Sequence, residues 1–167
     1  HEAVHSPKRE KPDKSGFPGN DPTLVEEVKA RLFTILDSID ALVYVADPDT
    51  YELLYTNQHG RAMLGNIIGK KCYQTIHPGF EEPCPFCTNQ YLTADGESTG
   101  IYRWEYHSKP DDRWYDCRDR AIRWNDGRIV HLTIATDITD RKRAEEARAK
   151  SEEKYRDLAE SIADLVF

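Results

Sequence analysis

The chain has 167 residues, of which 38% are hydrophobic and 32% are charged, and its formal net charge is -7 at pH 7. This length fits one domain of ordinary size with flanking elements, and the acidic balance argues against nucleic acid as a partner, which would need a basic face. No stretch approaches the ~20 apolar residues of a membrane span, so we expect a cytoplasmic segment, which is compatible with membrane attachment of a longer protein.

The chain begins with a predicted disordered leader over residues 1–20, where prolines, glycines and basic residues leave little to bury. An amphipathic helix is predicted over residues 21–40, with Asp21 as its N-cap and Pro22 at its first position. Its apolar residues recur at spacings of three and four: Val25, Val28, Leu32, Ile35 and Ile39. We expect this seam to face either a partner helix or the chain's own domain.

A domain rich in β-strands is predicted over residues 41–139. Two β-rich runs within residues 42–57 surround a turn of Asp, Pro, Asp and Thr, which predicts a hairpin. A helical stretch at QHGRAML follows, and three more strand-like runs lie at residues 100–108, 113–124 and 128–139. Asn-Asp-Gly joins the last two runs in a tight turn. This order predicts an α+β fold with a five-stranded antiparallel sheet, one face of which the helices cover.

Four segments together resemble a PAS sensor domain of the S-box type: DALVYVADPDTYELLYTN, GRAMLG, IIGKKCYQ and DGRIVHLTIATDITDRKRAEEA. The match covers about residues 30 to 145. Its most specific part is DITDRKRAE, because PAS modules of bacterial and archaeal signalling proteins commonly end in Asp-Ile-Thr followed by a charged helix. The resemblance implies a PAS fold, a ligand cavity, and a relay in which Asp137 and Thr139 tie the last strand to the following helix.

An internal repeat links two distant parts of the chain, since residues 32–44 align without gaps with residues 155–167. The identical pairs are Ser38/Ser161, Ile39/Ile162, Leu42/Leu165 and Val43/Val166. We interpret the repeat as the start of a second PAS module, so that residues 140–167 combine a linker helix with that start. Two amphipathic helices can also match through their apolar spacing alone.

The linker is predicted to be one long helix, because it is rich in Ala, Glu, Lys and Arg. A thin stripe of mostly apolar residues runs along this helix: Ala144, Ala147, Ser151, Tyr155, Leu158, Ile162 and Leu165. The stripe suits weak pairing with the same helix of a second copy, and the helix can alternatively be a solvated spacer. Arg141, Lys142 and Arg143 occupy the first turn, where the helix dipole disfavours cations, so we expect acidic side chains to face them.

The segment CYQTIHPGFEEPCPFC holds three thiols and one imidazole within sixteen positions, namely Cys72, His77, Cys84 and Cys87. This set suits tetrahedral zinc, or an iron–sulfur centre with Cys117 in place of His77. The two-residue spacing of Cys84 and Cys87 equally suits a reversible dithiol. The cysteines can also be small apolar fillers, and His77 can be an ordinary surface histidine.

In a PAS fold the cysteine segment becomes short helices and then a longer helix that lines the cavity. The candidate pocket residues are Tyr73, Phe86, Arg103 and Cys117. On the strand that contains Cys117, alternation places Tyr115, Cys117, Asp119 and Ala121 on one face, which we expect to point inward. A small organic ligand is the expected occupant, with Arg103, Arg118 and Arg120 as candidate partners for a carboxylate.

Two cofactors known from the family are disfavoured. GKKCYQTI resembles the photoreceptor motif in which Cys72 would bond flavin, but Lys71, Tyr73 and Ile76 replace its asparagine, arginine and glutamine. Haem-binding PAS domains generally use a histidine on the long helix, and CPFCTNQYLTADG contains none.

These features predict a signal-input module in which a ligand, metal or redox event favours one arrangement of the flanking helices. A homodimer through those helices is expected, with a downstream PAS or output module of the same chain receiving the change. The predicted output is a histidine kinase in a two-component phosphorelay, with a diguanylate cyclase as the alternative. We expect no catalytic residues in this segment. The alternative from another class is a thiol–disulfide redox protein built on Cys84 and Cys87, which would need a parallel βαβ context.

Overall fold

Residues 22–166 are described by a computed structural model. The predicted leader, the Asp21 N-cap and Phe167 lie outside these residues. The elements follow one another as α1 (Pro22–Asp37), β1 (Leu42–Ala46), β2 (Leu53–Thr56), α2 (Gln58–Leu64), α3 (Cys72–Thr75), α4 (Asn89–Leu92), β3 (Thr93–Ala94), β4 (Glu97–Ser98), β5 (Tyr102–Ser108), β6 (Arg113–Arg123), β7 (Ile129–Asp137) and α5 (Thr139–Val166).

The main sheet contains five strands in the order β2-β1-β7-β6-β5, and each neighbouring pair is antiparallel. This arrangement confirms the predicted α+β fold. The first and last strands lie side by side at the centre, where Val43 pairs with Ile134. Because this sheet has no parallel pair, it does not provide the βαβ context that a thioredoxin-like enzyme would need.

Two adjacent rows of side chains cover the inner face of the sheet. The apolar row contains Leu42, Ala135, Cys117 and Trp104, which lie opposite one another strand by strand. The polar row contains Tyr44, Thr133 and Asp119. The inward orientation predicted for β6 is confirmed, since Cys117, Asp119 and Ala121 are buried, as the two-residue period of a strand requires.

Both predicted hairpin turns are present. In the turn between β1 and β2, the Asp47 carboxylate accepts hydrogen bonds from the backbone N–H groups of Asp49 and Thr50 at 2.8 and 3.0 Å. In the turn between β6 and β7, the Trp124 N–H donates to the Arg128 carbonyl at 2.8 Å. Gly127 has a φ of 89° there, a left-handed conformation that glycine adopts without a Cβ clash.

Asn57 anchors the start of β1 to α2. Its fully buried side chain accepts hydrogen bonds from the N–H groups of Val43 and Gly60 and donates to the Ala41 carbonyl. Gly60 allows α2 to approach the sheet, because a Cβ at this position would lie 2.0 Å from Thr56 Oγ1. The position of α2 therefore depends on one amide and one missing side chain.

The prediction of a longer helix that lines the cavity was wrong. Between Cys84 and Ser98, only the four residues Asn89–Leu92 are helical, and Thr93 is already extended. A short hairpin of β3 and β4 follows, in which Asp95 and Gly96 both have positive φ values. The local reason is the Ala-Asp-Gly sequence, since Asp-Gly favours a tight turn over the continuation of a helix.

The flanking helices α1 and α5 are largely exposed. No residue of α1 is buried, and its contact with the domain includes Asp37, which accepts from the Gln58 N–H at 2.7 Å and pairs with Arg61 at 3.2 Å. At the start of α5 the predicted acidic partners are present: Glu105 pairs with Arg141 and Lys142, and Asp112 lies 3.9 Å from Arg143. Within residues 22–166, each helix is too short or too polar to span a bilayer.

Candidate functional site

A cavity of about 290 Å³ lies against the inner face of the sheet. The apolar row contributes its floor, and the segment from α2 to the loop after α3 covers it. Its aromatic lining contains Tyr44, His77, Trp104, Tyr106 and Tyr115. Exposed Pro110 and Asp111 also line it and mark its opening. The size and lining are typical of a small-molecule site near the lower limit of about 300 Å³.

His77 is buried in the aromatic wall of this cavity. Its ring packs edge-on against Tyr106 and Phe86, with ring centroids 4.7 and 5.1 Å away. Burial lowers the pKa of His77 to about 4, although Asp119 has a small opposing effect. The imidazole is therefore neutral near pH 7, and its Nδ1 has no hydrogen-bond partner within residues 22–166. It is not the surface histidine considered from the sequence.

The four candidate pocket residues occupy different places. Cys117 lines the cavity, whereas Phe86 lines a second, smaller cavity of about 30 Å³. Tyr73 and Arg103 line neither. The Tyr73 ring lies 5.7 Å from that of Tyr51, and Arg103 is exposed on the outer face, 3.5 Å from Asp116.

The predicted arginine partners for a ligand carboxylate lie outside the cavity. Arg103 and Arg118 pair across β5 and β6, one position away from the inward-facing row. Both side chains are more than half exposed and flank Asp116, and Arg120 is likewise exposed. Strand alternation explains the result, since inward-facing Cys117 and Asp119 force their neighbours outward.

A buried polar cluster lies in the row next to the cavity. Asp119 is only 1% exposed, and its carboxylate accepts hydrogen bonds from the hydroxyls of Thr88 and Thr133 at 2.6 and 2.8 Å and from Trp104 Nε1 at 2.7 Å. Burial alone would raise the pKa of Asp119. Nearby His131 and the hydrogen bonds from Thr88 and Thr133 outweigh it and hold the pKa below its usual value.

His131 belongs to the same cluster. Its Nδ1 lies 2.6 Å from Asn89 Oδ1, which can only accept because the amide nitrogen of Asn89 donates to the Pro48 carbonyl. Its Nε2 lies 3.0 Å from the Thr133 hydroxyl, whose hydrogen is already donated to Asp119. The same Nε2 also lies 3.5 Å from the Asp119 carboxylate.

The cysteines divide between the two cavities. Cys72, Cys84 and Cys87 all line the smaller cavity, whereas Cys117 lines the larger one. All four are free thiols. Burial raises the pKa of Cys72 to about 12 and that of Cys84 to about 11, so both remain protonated near pH 7.

The predicted metal ligands do not form a complete set. Among residues 22–166, no three His, Cys, Asp or Glu side chains have an arrangement that could hold a metal ion. Cys72, His77, Cys84 and Cys87 all line the small cavity, whereas Cys117 lines the larger one. The His77 ring also packs edge-on against Phe86 and Tyr106. Elemental analysis of protein purified without oxygen is the direct test for a metal at this site.

Asp137 and Thr139 lie at the junction of β7 and α5. The Asp137 carboxylate accepts from the backbone N–H and the hydroxyl of Thr139. The Thr139 hydroxyl in turn accepts from the Trp114 N–H at 3.0 Å, and Arg113 donates to Asp137 at 2.8 Å. Lys142 lies over the Trp114 ring, 4.9 Å from its centroid. The start of α5 is thus attached to both β6 and β7.

A model of the PAS fold family matches residues 36–143. The chain belongs to the PAS family. This PAS domain is 28% identical over 148 residues to the peroxide stress-activated histidine kinase mak1 of Schizosaccharomyces pombe, in an alignment that covers 81% of this chain and 9% of that protein. It therefore corresponds to a small part of the curated relative it matches.

Two solved structures illustrate the likeness of the fold. An RNA-binding light-oxygen-voltage receptor aligns with a TM-score of 0.51 and 16% identity, covering 89% of this chain and 42% of that one. The PAS domain of an HTR-like protein from Haloarcula marismortui aligns with a TM-score of 0.49 and 17% identity, covering 70% of this chain and 96% of that one. At these identities the likeness concerns the fold alone.

The polar cluster of this PAS domain was missed by sequence reasoning. Strand alternation predicts that Asp119 faces inward, but it does not predict its partners in the α4 region and on β7. One signal was available, because His131 and Thr133 are two residues apart on one strand and therefore share a face. An aspartate that alternates with cysteine and alanine on a buried face also requires a partner.

Proposed function

We propose that this PAS domain is the sensory input module of a larger signalling protein, that it binds a small uncharged aromatic molecule in its larger cavity, and that it relays occupancy through β7 and α5. The observation that carries the proposal is the cavity itself, which is lined mainly by aromatic and aliphatic side chains. Such a lining with few polar groups is typical of small-molecule sites.

The charge distribution supports an uncharged ligand. The described residues that line the cavity include no Lys or Arg, and the acidic one, Asp111, lies at the opening. Inside, the polar atoms of Trp104 and Thr133 are already bonded to Asp119. A carboxylate or ammonium group would lose its hydration there without an oppositely charged partner, which costs several kcal/mol or more.

The proposed relay begins at Tyr115, which lines the cavity and pairs with Asp137 across β6 and β7. The preceding residue of β6, Trp114, donates its N–H to the Thr139 hydroxyl at the start of α5. A ligand that displaces Tyr115 would therefore shift the attachment of α5. Ligand binding can favour one position of α5 only by the difference in binding free energy between the two positions of the helix, typically about 1–3 kcal/mol.

The flanking helices are proposed to pair with those of a second copy. Their exposed apolar side chains include Val28, Leu32 and Ile35 on α1 and Leu158, Ile162 and Leu165 on α5. We further propose that a second PAS module begins within residues 155–167 and that the output is a histidine kinase. The curated relative, which is a histidine kinase, supports this choice over a diguanylate cyclase.

Binding can be tested with indole and its charged analogue indole-3-carboxylate, using the shift in thermal unfolding temperature and calorimetry. We expect indole to bind and the carboxylate to bind at least about tenfold more weakly, a difference of about 1.4 kcal/mol. Ala135→Leu, which fills the cavity floor, should abolish indole binding, whereas Arg103→Ala on the outer face should not. Equal binding of both compounds, or full binding by Ala135→Leu, would contradict the proposal.

The relay can be tested separately by hydrogen exchange at residues 137–145 with and without indole. Occupancy should change the exchange rates there in the parent domain. In Thr139→Val, the ligand should still bind but the change at α5 should shrink. An unchanged response in this variant would show that the signal does not pass through the Thr139 hydroxyl.

A further inference from the structure

The two cysteines of the CPFC sequence lie at the ends of a tight turn. The Cys87 N–H donates to the Cys84 carbonyl at 3.0 Å, which is the hydrogen bond of a four-residue β-turn. Such a turn holds its terminal Cα atoms within about 7 Å, and disulfides usually span about 4.4–6.8 Å between Cα atoms. Both side chains also line the same small cavity. The backbone therefore already has a shape in which a disulfide can close.

We propose that Cys84 and Cys87 are a redox-active dithiol that hydrogen peroxide, or a small organic hydroperoxide, oxidises to an intramolecular disulfide. This site is separate from the ligand cavity, and its chemistry does not depend on the proposed ligand.

The two cysteines have different roles in this reaction. Cys87 is partly exposed, whereas Cys84 is buried. Burial raises the pKa of Cys84 to about 11, so Cys84 is a poor first nucleophile, because the thiolate is the reactive form. Cys87 therefore attacks the oxidant, and Cys84 resolves the product.

In the first step, Cys87 loses its proton to water and its sulfur attacks one peroxide oxygen. The O–O bond breaks, the departing hydroxide takes up a proton to become water, and Cys87 becomes a sulfenic acid. In the second step, the Cys84 sulfur attacks the Cys87 sulfur and the S–O bond breaks. The hydroxide leaves as water with the Cys84 proton. Two thiols thus lose two electrons, and one peroxide yields two waters.

The shape of the site favours a small neutral oxidant. The cavity that the sulfurs line is about 30 Å³, similar to the space of about one water molecule. Hydrogen peroxide, which is little larger than water, can approach sulfur in such a space.

The oxidised turn would affect the rest of the domain through Phe86, the residue between Pro85 and Cys87. Its ring lies 5.8 Å from Trp104 and 5.4 Å from Tyr106, and both of these line the ligand cavity. Thr88, which follows Cys87, donates to Asp119. Closing the disulfide would therefore move a wall that the two cavities share.

The experiment treats the reduced, purified domain with a small excess of hydrogen peroxide and counts free thiols. We expect two of the four thiols to disappear and the peptide that contains both Cys84 and Cys87 to lose the mass of two hydrogens. Cys87→Ser should stop disulfide formation, and Cys84→Ala should leave Cys87 as a sulfenic acid that dimedone traps. Cys117→Ser, the matched control in the other cavity, should form the disulfide at the parental rate.

Several results would overturn the proposal. These are four thiols remaining after treatment, a disulfide that involves Cys72, or the same thiol loss in Cys87→Ser as in the parent. Circular dichroism shows whether each variant is folded, and Cys87→Ser is the variant whose partly exposed site tolerates a hydroxyl. We expect disulfide formation to change the affinity for indole by about fivefold or more. A disulfide that leaves this affinity unchanged would support the redox site but refute its effect on the wall shared by the two cavities.

Discussion

The two rows on the inner face of the sheet differ in how their side chains are held. Next to the apolar row, His77 is neutral and is held by aromatic ring edges. In the polar row, Asp119 and His131 lie 3.5 Å apart, and their hydrogen bonds run to four further side chains. The same strands thus support a region that can adapt and a region that cannot move without breaking directional bonds.

This difference assigns separate tasks to the two rows. Contacts between rings are weak individually and tolerate small displacements, whereas a buried carboxylate that loses a donor retains its full cost of desolvation. A ligand is therefore expected to disturb the apolar row while the polar row keeps β6 and β7 in register. Trp104 belongs to both, since its ring lines the cavity and its Nε1 donates to Asp119.

The largest expected effect comes from removing the carboxylate of the polar row. Asp119→Ala leaves three buried donors without their acceptor and removes the carboxylate beside His131, so it should lower the free energy of unfolding by roughly 3–5 kcal/mol. Urea denaturation measures this change. Asp116→Ala on the outer face of the same strand is the matched control and should cost less than about 1 kcal/mol. Similar losses in the two variants would show that the rows do not differ in this way.

Acid titration separates the two rows by the pH window in which stability falls. The pKa of His77 is about 4 in the folded protein and 6.5 as its ordinary value, so the unfolded state binds the proton first. Stability should therefore fall as pH drops from 6.5 to about 4, by roughly 3 kcal/mol in total.

His77→Phe keeps a ring in the aromatic wall and should remove this part of the acid loss. The lowered pKa of Asp119 has a separate consequence: its contribution is complete above its ordinary pKa of about 3.9 and is lost below it. Denaturation curves across pH 3–7 measure both windows. A His77→Phe variant that keeps the parental slope between pH 4 and 6.5 would refute the first assignment.

A smaller effect is expected from the Thr133 hydroxyl, which links Asp119 and His131 in the polar row. Thr133→Val preserves the shape but removes the bond to Asp119, which should cost about 1–2 kcal/mol. The same substitution in the Asp119→Ala background should cost much less, because the bond is already absent. A double-mutant cycle with no coupling energy would place the two residues outside one network.

The smallest effect is expected in the apolar row. Cys117→Ala removes one atom beside an existing cavity, so its cost should be no more than about 1 kcal/mol. Thermal unfolding would detect it as a small decrease in melting temperature. A loss as large as that of Thr133→Val would mean that the apolar row is as constrained as the polar row.

Local patterns were enough to predict much of the fold. Alternation on β6 placed Cys117 and Asp119 inward, and turn residues predicted both hairpins. The cations at the start of α5 predicted acidic partners, which Glu105 and Asp112 provide. These predictions succeed because each depends on a preference that acts within a few residues of the chain.

The candidate site was less accessible from the sequence because its partners are distant along the chain. Thr88 is 31 residues from Asp119, and Asn89 is 42 residues from His131, so no local pattern joins them. The division of the cysteines between two cavities has the same origin. The sequence allowed Cys117 to replace His77 as a metal ligand. The sheet instead places Cys117 in the larger cavity, away from the other three cysteines in the smaller one.

The internal repeat shows what the sequence determined and what only the tertiary structure decided. The apolar spacing in each copy of the repeat was enough to predict a helix, both for α1 and for the end of α5. Yet the Leu-Val pair that both copies share adopts two different conformations. Leu42 and Val43 are 5% and 2% exposed in β1, whereas Leu165 and Val166 are 85% and 69% exposed in a helix. The first pair hydrogen-bonds to β7, where Leu42 lies opposite Ala135. No strand within residues 22–166 lies beside the second pair, so it keeps the helical conformation of the residues before it.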